Sequence, residues 1–380
     1  MTRAAPDVNA ALQGYDRARL ALASIGSHSA LDVSLGAKRA GLHSIVITAS
    51  GRARTYAQHY RSRADGTGCV DETIAVDHFA DILEPAIQAQ LAQRNAIFVP
   101  NRSFEVYARE RHSYDDIERG MRIPMFGSRH LLRAEERDEP FNQYNLLAAA
   151  GLRFPRRLRG PQEIDGLTLV KAAHARVPFE RAFFVAANRE QYERRASHYL
   201  ATGVVTQAGL ERAVFEEYVL GPTINLNFFW SPILGELELL GTDTRRQTNI
   251  EGIRSLLAID QAALGAAFTA SMEEAGHVAA TLTESMLEQA FDMGERFVAA
   301  ARSAKAPGII GPFALQCVIA AGPPKSFVVY DVSMRIPGSP GTKYTPYSAY
   351  RWGRELSVGE RIANEVAMAR DQDRLAEVCT

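Results

Sequence analysis

The sequence predicts an α/β chain that continues into α+β lobes, on three observations. Residues 1–110 alternate short apolar runs with helix-spaced segments, the pattern of βαβ units on a parallel sheet. At 380 residues the chain exceeds one small core and implies two or three packed subdomains. Toward the C-terminus, Asp331, Ser333 and Arg335 alternate with Val332, Met334 and Ile336, the period of a strand with one polar and one apolar face.

Taken in order, Leu20–Ile25 is a short apolar strand ending at Gly26-Ser27-His28-Ser29. The next segment is helix-spaced to Gly41, with Ser27 or Ser29 suited to the N-cap and Gly41 to the stop. Strands are expected at Ser44–Thr48, Thr73–Val76 and Ala96–Pro100, with a helix over His78–Asn95. Residues 111–160 are rich in both charges, and the run Arg133–Glu139 reads as a solvated helical face. Phe141–Gly151 reads as a helix, Thr168–Lys171 as a short strand closed by lysine, and Ala213–Val219 as another strand. Ile224–Trp230 and Glu238–Gly241 continue an antiparallel sheet and leave Arg245, Arg246 and Asn249 in the following loop. Amphipathic helices are expected over Ala262–Leu282, Thr283–Lys305 and from Val358 to about Leu375.

A net charge of -1 gives no general attraction to nucleic acid or to an anionic membrane. The three cysteines, Cys69, Cys317 and Cys379, lack metal-site spacing and read as reduced thiols of a cytoplasmic protein. No apolar run reaches membrane-spanning length, and the N-terminal twenty residues read as a short extension without a signal-peptide core.

Three places carry chemistry. If the turn Gly322-Pro323-Pro324-Lys325 closes a hairpin, Gln316 falls opposite Asp331, and Phe313, Leu315 and Cys317 fall opposite Met334, Val332 and Tyr330. An amide oxygen beside a carboxylate, with Arg335 near, suits a magnesium ion carrying phosphates; a solvated sheet face fits the same spacing. Ser27 and His28 stand at the carboxyl end of a parallel strand, where ligands gather, and Ser103 follows another strand end. A purely structural loop histidine satisfies the same position. Arg245 and Arg246 with Asn249 suit a monophosphorylated heterocycle, and equally a solvated loop.

Several segments, in the same order along the chain, carry a family resemblance. They are Gly26–Leu31 (GSHSAL), Phe126–Arg129 (FGSR), Glu216–Val219 (EEYV), Asp243–Arg245 (DTR), Asn249–Gly252 (NIEG), Gly311–Gln316 (GPFALQ) and Tyr330–Tyr350 with its acidic-x-Ser-x-Arg start. The chain resembles the formate-dependent formaminoimidazole-carboxamide ribonucleotide synthetases, ATP-grasp ligases of archaeal-type purine biosynthesis. The resemblance implies an ATP-grasp fold with an N-terminal Rossmann-like (pre-ATP-grasp) domain at 1–110, a small lobe and connection at 111–220, and a large lobe with a C-terminal helix at 221–380. It implies ATP and Mg2+ as cofactors, with a small-molecule ribonucleotide and a small carboxylate, formate in the family, as partners. Membrane and nucleic acid are not expected, and assembly as a homo-oligomer is left open. Arg335, Lys171 and His28 would be catalytic. Lys171, Glu216, Glu217, Tyr218 and Val219 would bind ATP; Ser27, His28, Ser103, Arg245 and Asn249 the ribonucleotide; Gln316 and Asp331 the metal.

The chain departs from the family at four places. Where a glycine-rich phosphate loop is expected, residues Ala172–Ala182 contain no glycine and one proline, so side chains of His174, Arg176 or Arg181 would replace backbone amides. Arg102 replaces a small residue, Lys343 stands where asparagine is expected, and Asp331 where glutamate is. These departures keep two rivals in view: an ATP-grasp ligase for a purine-like or C-nucleoside monophosphate in secondary metabolism, and a nucleotide-binding paralogue without ligase activity.

Overall fold

Strands β1 (Ala21–Ile25), β2 (His43–Ala49), β3 (Glu72–Val76) and β4 (Ala96–Phe98) form a parallel sheet in the order β3-β2-β1-β4. The computed structural model describes residues 6–137, 139–173, 175, 181–248, 250–264, 274–338 and 340–380. β1 is buried along its whole length, which is why it reads as a continuous apolar run. The N-terminal extension forms a helix, Val8–Gln13, capped by Asp7, and Tyr15 donates its hydroxyl to the Ala96 carbonyl at 3.0 Å.

The helix Ala30–Arg39 follows β1, but its N-cap differs from expectation. Ser29 occupies the cap in a left-handed conformation (φ 69°) and makes no side-chain cap bond; its hydroxyl donates to the Pro337 carbonyl at 3.3 Å instead. Gly36 lets this helix meet the helix Val358–Asp371 backbone to backbone, since a Cβ there would lie 2.2 Å from the Gly359 carbonyl oxygen. Across the same contact Asp32 accepts from the Gly359 amide at 2.8 Å. The C-terminal helix begins with a capping box, Ser357 with Glu360, and a separate short helix, Leu375–Val378, follows it.

A second sheet holds β5 (Arg157–Leu158), β6 (Thr168–Ala173), β7 (Arg181–Ala186) and β8 (Val214–Glu217), antiparallel in the order β5-β8-β6-β7. Val170, Phe184 and Phe215 form its core, with Tyr192 and Tyr199 of the helix Arg189–Ala201 packed against them. Ala172 and Ala173 extend β6, and Arg181 and Ala182 open β7, so the expected loop is shortened at both ends.

The third sheet contains β9 (Thr223–Ser231), β10 (Glu236–Gln247), β11 (Glu274–Ala279), β12 (Gly311–Ala320) and β13 (Ser326–Ser333), in the order β11-β10-β9-β12-β13. Two expectations are corrected here. Arg245 and Arg246 lie inside β10 and not in a loop, opposite His277 and Gly276. β11 occupies part of the span Ala262–Leu282 expected to be helical. The alanine spacing of that span satisfies a helix, but Gly276 weakens it, and the ladder bonds of β10 supply the partners that decide the outcome. The hairpin expected around Gly322–Lys325 is present, with β12 and β13 adjacent and Phe313, Leu315, Cys317, Val328, Val332 and Met334 buried.

By their contacts the residues divide into two compact units: Met1–Gly151 with Ile224–Gln316 and Asp331–Thr380, and Leu152–Thr223 with Cys317–Tyr330. The first unit thus draws on both ends of the chain. Among the described residues no helix is long and apolar enough to cross a membrane.

Candidate functional site

In the first unit, a cavity of about 780 Å³ opens at the carboxyl end of β1. Ser27, His28, Ser29, Arg52, Tyr56 and Lys343 are among its lining residues. The hydroxyls of Ser27 and Ser103 are 2.7 Å apart, so the two serines expected at separate strand ends form one pair. Ser103 belongs to the helix Arg102–Ala108, held to β1 by Asn101, which caps that helix and donates to the Ile25 carbonyl at 3.2 Å. Lys343 is tied to Glu360 at 3.2 Å.

His28 also lines a polar crevice of about 20 Å³, together with Arg102, Arg245, Gln316, Ser333 and Arg335. Three buried atoms of its lining residues, Asn227 Oδ1, Gln316 Oε1 and Arg335 Nε, have no hydrogen-bond partner among the described residues. Leaving such atoms dry costs about 1–3 kcal/mol each, so their convergence on one crevice marks a place made for a polar ligand.

Several of these groups are held by partners that the sequence did not reveal. Arg335 pairs with Glu135 at 2.8 Å, and Glu135 also accepts from the Met334 amide. The run Arg133–Glu139 is therefore not simply a solvated face: a buried guanidinium requires a counter-charge, and this segment supplies it. Burial pushes the carboxyl of nearby Glu105 well above the ordinary range, and the negative charge of Glu135 adds to the effect. Asp331 Oδ1 accepts from Arg137 at 3.0 Å and from Gln143 at 3.1 Å, so its charge is already matched within the protein.

Arg245 Nε lies 3.1 Å from Glu274 Oε2. Glu274 Oε1 lies 2.7 Å from His28 Nε2 and 2.9 Å from His277 Nε2, and His277 Nδ1 contacts the buried Asp243. Glu274 and His277 lie in a segment whose spacing predicts a helix, and only Asp243, within the Asp243–Arg245 match, points toward them.

Gln316 has the chemistry to hold a magnesium ion. Gln316 donates its amide nitrogen to Ser333 at 3.4 Å and leaves its carbonyl oxygen unpaired, the hard neutral donor such an ion accepts. Asp331 supplies a carboxylate whose orientation is fixed by Arg137 and Gln143.

In the second unit, Lys171 closes on Glu216 in a buried ion pair, across β6 and β8. The sequence reading gave these two residues separate tasks; the structure makes them partners. Glu217 faces the other way, accepting from the Arg156 amide at 3.2 Å with Arg153 3.5 Å away. The Tyr218 amide is used by the Leu167 carbonyl, which removes it as a donor to a heterocycle. Val219 lies just past β8, half-buried. Arg176 and Asn249 lie outside the described residues, and Arg181 is placed by its backbone alone, opposite Ala173.

The parallel sheet, the antiparallel sheet that carries Lys171 and the third sheet with its β12–β13 hairpin are those of an ATP-grasp protein. A solved structure titled N5-carboxyaminoimidazole ribonucleotide synthetase in complex with ADP shares this fold at a TM-score of 0.57 and 13% identity, covering 97% of this chain and 79% of that one. Family models for a protein of unknown function (DUF1246) and a domain of unknown function (DUF1297) match residues 22–158 and 191–380. The chain is 36% identical over 369 residues, 97% of each sequence, to a 5-formaminoimidazole-4-carboxamide-1-(beta)-D-ribofuranosyl 5'-monophosphate synthetase of Methanopyrus kandleri. The crystal structure of an IMP biosynthesis protein PurP from Thermococcus kodakaraensis aligns at a TM-score of 0.70 and 27% identity, covering 94% of this chain and all of that one. The chain belongs to the formaminoimidazole-carboxamide ribonucleotide synthetase family of ATP-grasp ligases.

Proposed function

We propose that this protein uses ATP and Mg2+ to activate formate as an acyl phosphate and transfers the formyl group to the amine of an aminoimidazole-carboxamide ribonucleoside monophosphate. The observation that carries the reading is the first-unit cavity, large enough for a nucleotide and joined at His28 to a crevice of unpaired polar groups. Ser27, His28, Ser103, Arg245 and Asn249 are assigned to the ribonucleotide. Lys171, Glu216, Glu217, Val219, Arg176 and Arg181 are assigned to ATP, with Tyr218 contributing through groups other than its amide.

ATP is needed because hydroxide-like oxygen is a poor leaving group and phosphate a good one. Bound magnesium would supply Lewis-acid stabilisation of phosphate charge, with Gln316 and Asp331 holding it. Lys171 and Arg335 are assigned to spreading the charge of phosphoryl transfer, which asks of a protein mainly positioning and electrostatics. Incubation with ATP, magnesium, isotopically labelled formate and the aminoimidazole-carboxamide ribonucleotide should yield a labelled formylated nucleotide by mass spectrometry. Labelled product absent while ATP is consumed with another carboxylate or amine would favour a ligase of different substrate. That second reading is motivated by Arg102 and Lys343, which replace expected smaller or neutral residues and line the crevice and the cavity.

A further inference from the structure

We propose that Glu274 and His277 are positioning residues that fix the tautomer of His28, leaving its Nδ1 as the acceptor for the proton lost by the ribonucleotide amine. This rests on the reading that His28 touches the ribonucleotide.

The argument runs along a chain of contacts. Asp243, fully buried on β10, accepts from Asn225 at 3.0 Å and Asn227 at 2.6 Å and contacts His277 Nδ1. His277 Nε2 faces Glu274 Oε1 at 2.9 Å. Both ring nitrogens of His277 therefore face carboxylate oxygens, which only accept, and both must carry protons. Burial lowers the pKa of this imidazole, but the hydrogen bonds to Asp243 and Glu274 outweigh it and raise the value from 6.5 to about 9. Glu274, although partly buried, is held below the ordinary carboxylate range by its bonds to His277 and His28 and by Arg245.

An ionised Glu274 has only acceptor capacity, so His28 Nε2, 2.7 Å from Oε1, must donate. In neutral His28 the lone pair then sits on Nδ1. Gly338 closes on the same edge of the ring: a Cβ there would lie 2.4 Å from His28 Nε2. Asp243, His277, Glu274 and Arg245 balance in charge, two of each sign, and the sequence brings them together only through the ladder of β9, β10 and β11. Among the described residues, the charged groups sharing the crevice with His28 and Glu274 are His277, Arg245, Arg102 and Arg335, and those sharing the cavity with His28 are Asp32, Arg52, Lys343 and Glu360.

In the transfer step the amine nitrogen forms a bond to the acyl carbon, the carbon–oxygen bond to phosphate breaks with its electrons leaving on phosphate, and the amine proton passes to His28 Nδ1. The resulting imidazolium lies against Glu274, which lowers its cost.

The test compares Glu274→Gln and Glu274→Asp with His28→Ala, by kcat, KM for the ribonucleotide and pH profile. Glu274→Gln should lower kcat by about 10²-fold, in the usual range for general acid–base effects, with KM changed by less than about twofold. Removing the anion should also move the acidic limb of kcat to lower pH, and Glu274→Asp should restore part of the rate. Histidine 15N NMR of the wild type, assigned by His28→Gln, should show His28 as the Nε2–H tautomer even if a Glu274 variant fails to fold. An Nδ1–H tautomer, or an unshifted pH profile in Glu274→Gln while His28→Ala is impaired, would overturn the positioning role alone. Unimpaired His28→Ala would overturn the substrate assignment beneath it. Stoichiometric zinc whose removal abolishes turnover, restored by zinc and not magnesium, would make this cluster a metal site and also overturn the proposal.

Discussion

The two units hold their charged residues in opposite ways. In the first, Gln316 and Arg335 are anchored by some of their atoms while others stay unpaired among the residues of one crevice. In the second, Lys171 and Glu216 spend their charges on each other, and the Tyr218 amide is committed to Leu167. The first arrangement is poised for a ligand, whereas the second must exchange an internal contact for an external one.

The largest way to break this contrast is at the closed pair. Lys171→Met takes the buried ammonium away from Glu216, and should lower stability in denaturant unfolding and abolish ATP turnover. Lys171→Met with Glu216→Leu should recover most of the stability and none of the turnover. Stability unchanged in the single variant would mean that Glu216 is not a buried charge.

Asp331→Ala tests the poised unit. It should abolish magnesium-dependent turnover and, because Arg137 and Gln143 each lose one acceptor, lower stability modestly. Turnover equal to wild type would remove the hairpin from the mechanism.

Arg181→Ala addresses the glycine-free connection between β6 and β7. If a side chain replaces backbone amides there, the ATP dissociation constant should rise by about tenfold, the size of a charge-assisted hydrogen bond to phosphate. An unchanged constant would assign Arg181 to the strand alone.

A smaller effect follows from His277. Its folded pKa is raised from 6.5 to about 9, so its stabilising contribution is complete below about pH 6.5 and is lost as pH rises through about 9. The melting temperature of wild type minus that of His277→Gln should be largest in mild acid and should shrink across that window. A difference independent of pH would show that the imidazole is not held protonated by folding.

What was legible in the sequence follows the reach of its signals. β1 to β4 and the hairpin after Gly311 are local patterns of alternation and turn chemistry, and each occurs where expected, whereas the serine–histidine turn is in place without the expected side-chain cap. The partners of the functional groups were not legible. Lys171 and Glu216 are 45 residues apart, and nothing local announces that their strands adjoin. Glu135 and Arg137 sit in a charge run whose composition is that of a solvated face, yet burial of Arg335 draws them in. Glu274 and His277 lie in an alanine-rich span whose helical spacing is overruled by pairing with β10.

The most direct test of the contrast is to titrate each ligand separately into two variants by calorimetry: His28→Ala, and the stability-compensated Lys171→Met with Glu216→Leu. His28→Ala should weaken the ribonucleotide by about tenfold or more, the loss of a charge-assisted or buried hydrogen bond, and leave ATP within about twofold. The double variant should do the reverse. If both ligands weaken in parallel in either variant, or if His28→Ala leaves the ribonucleotide untouched, the assignment of His28 to the ribonucleotide and of Lys171 and Glu216 to ATP is contradicted.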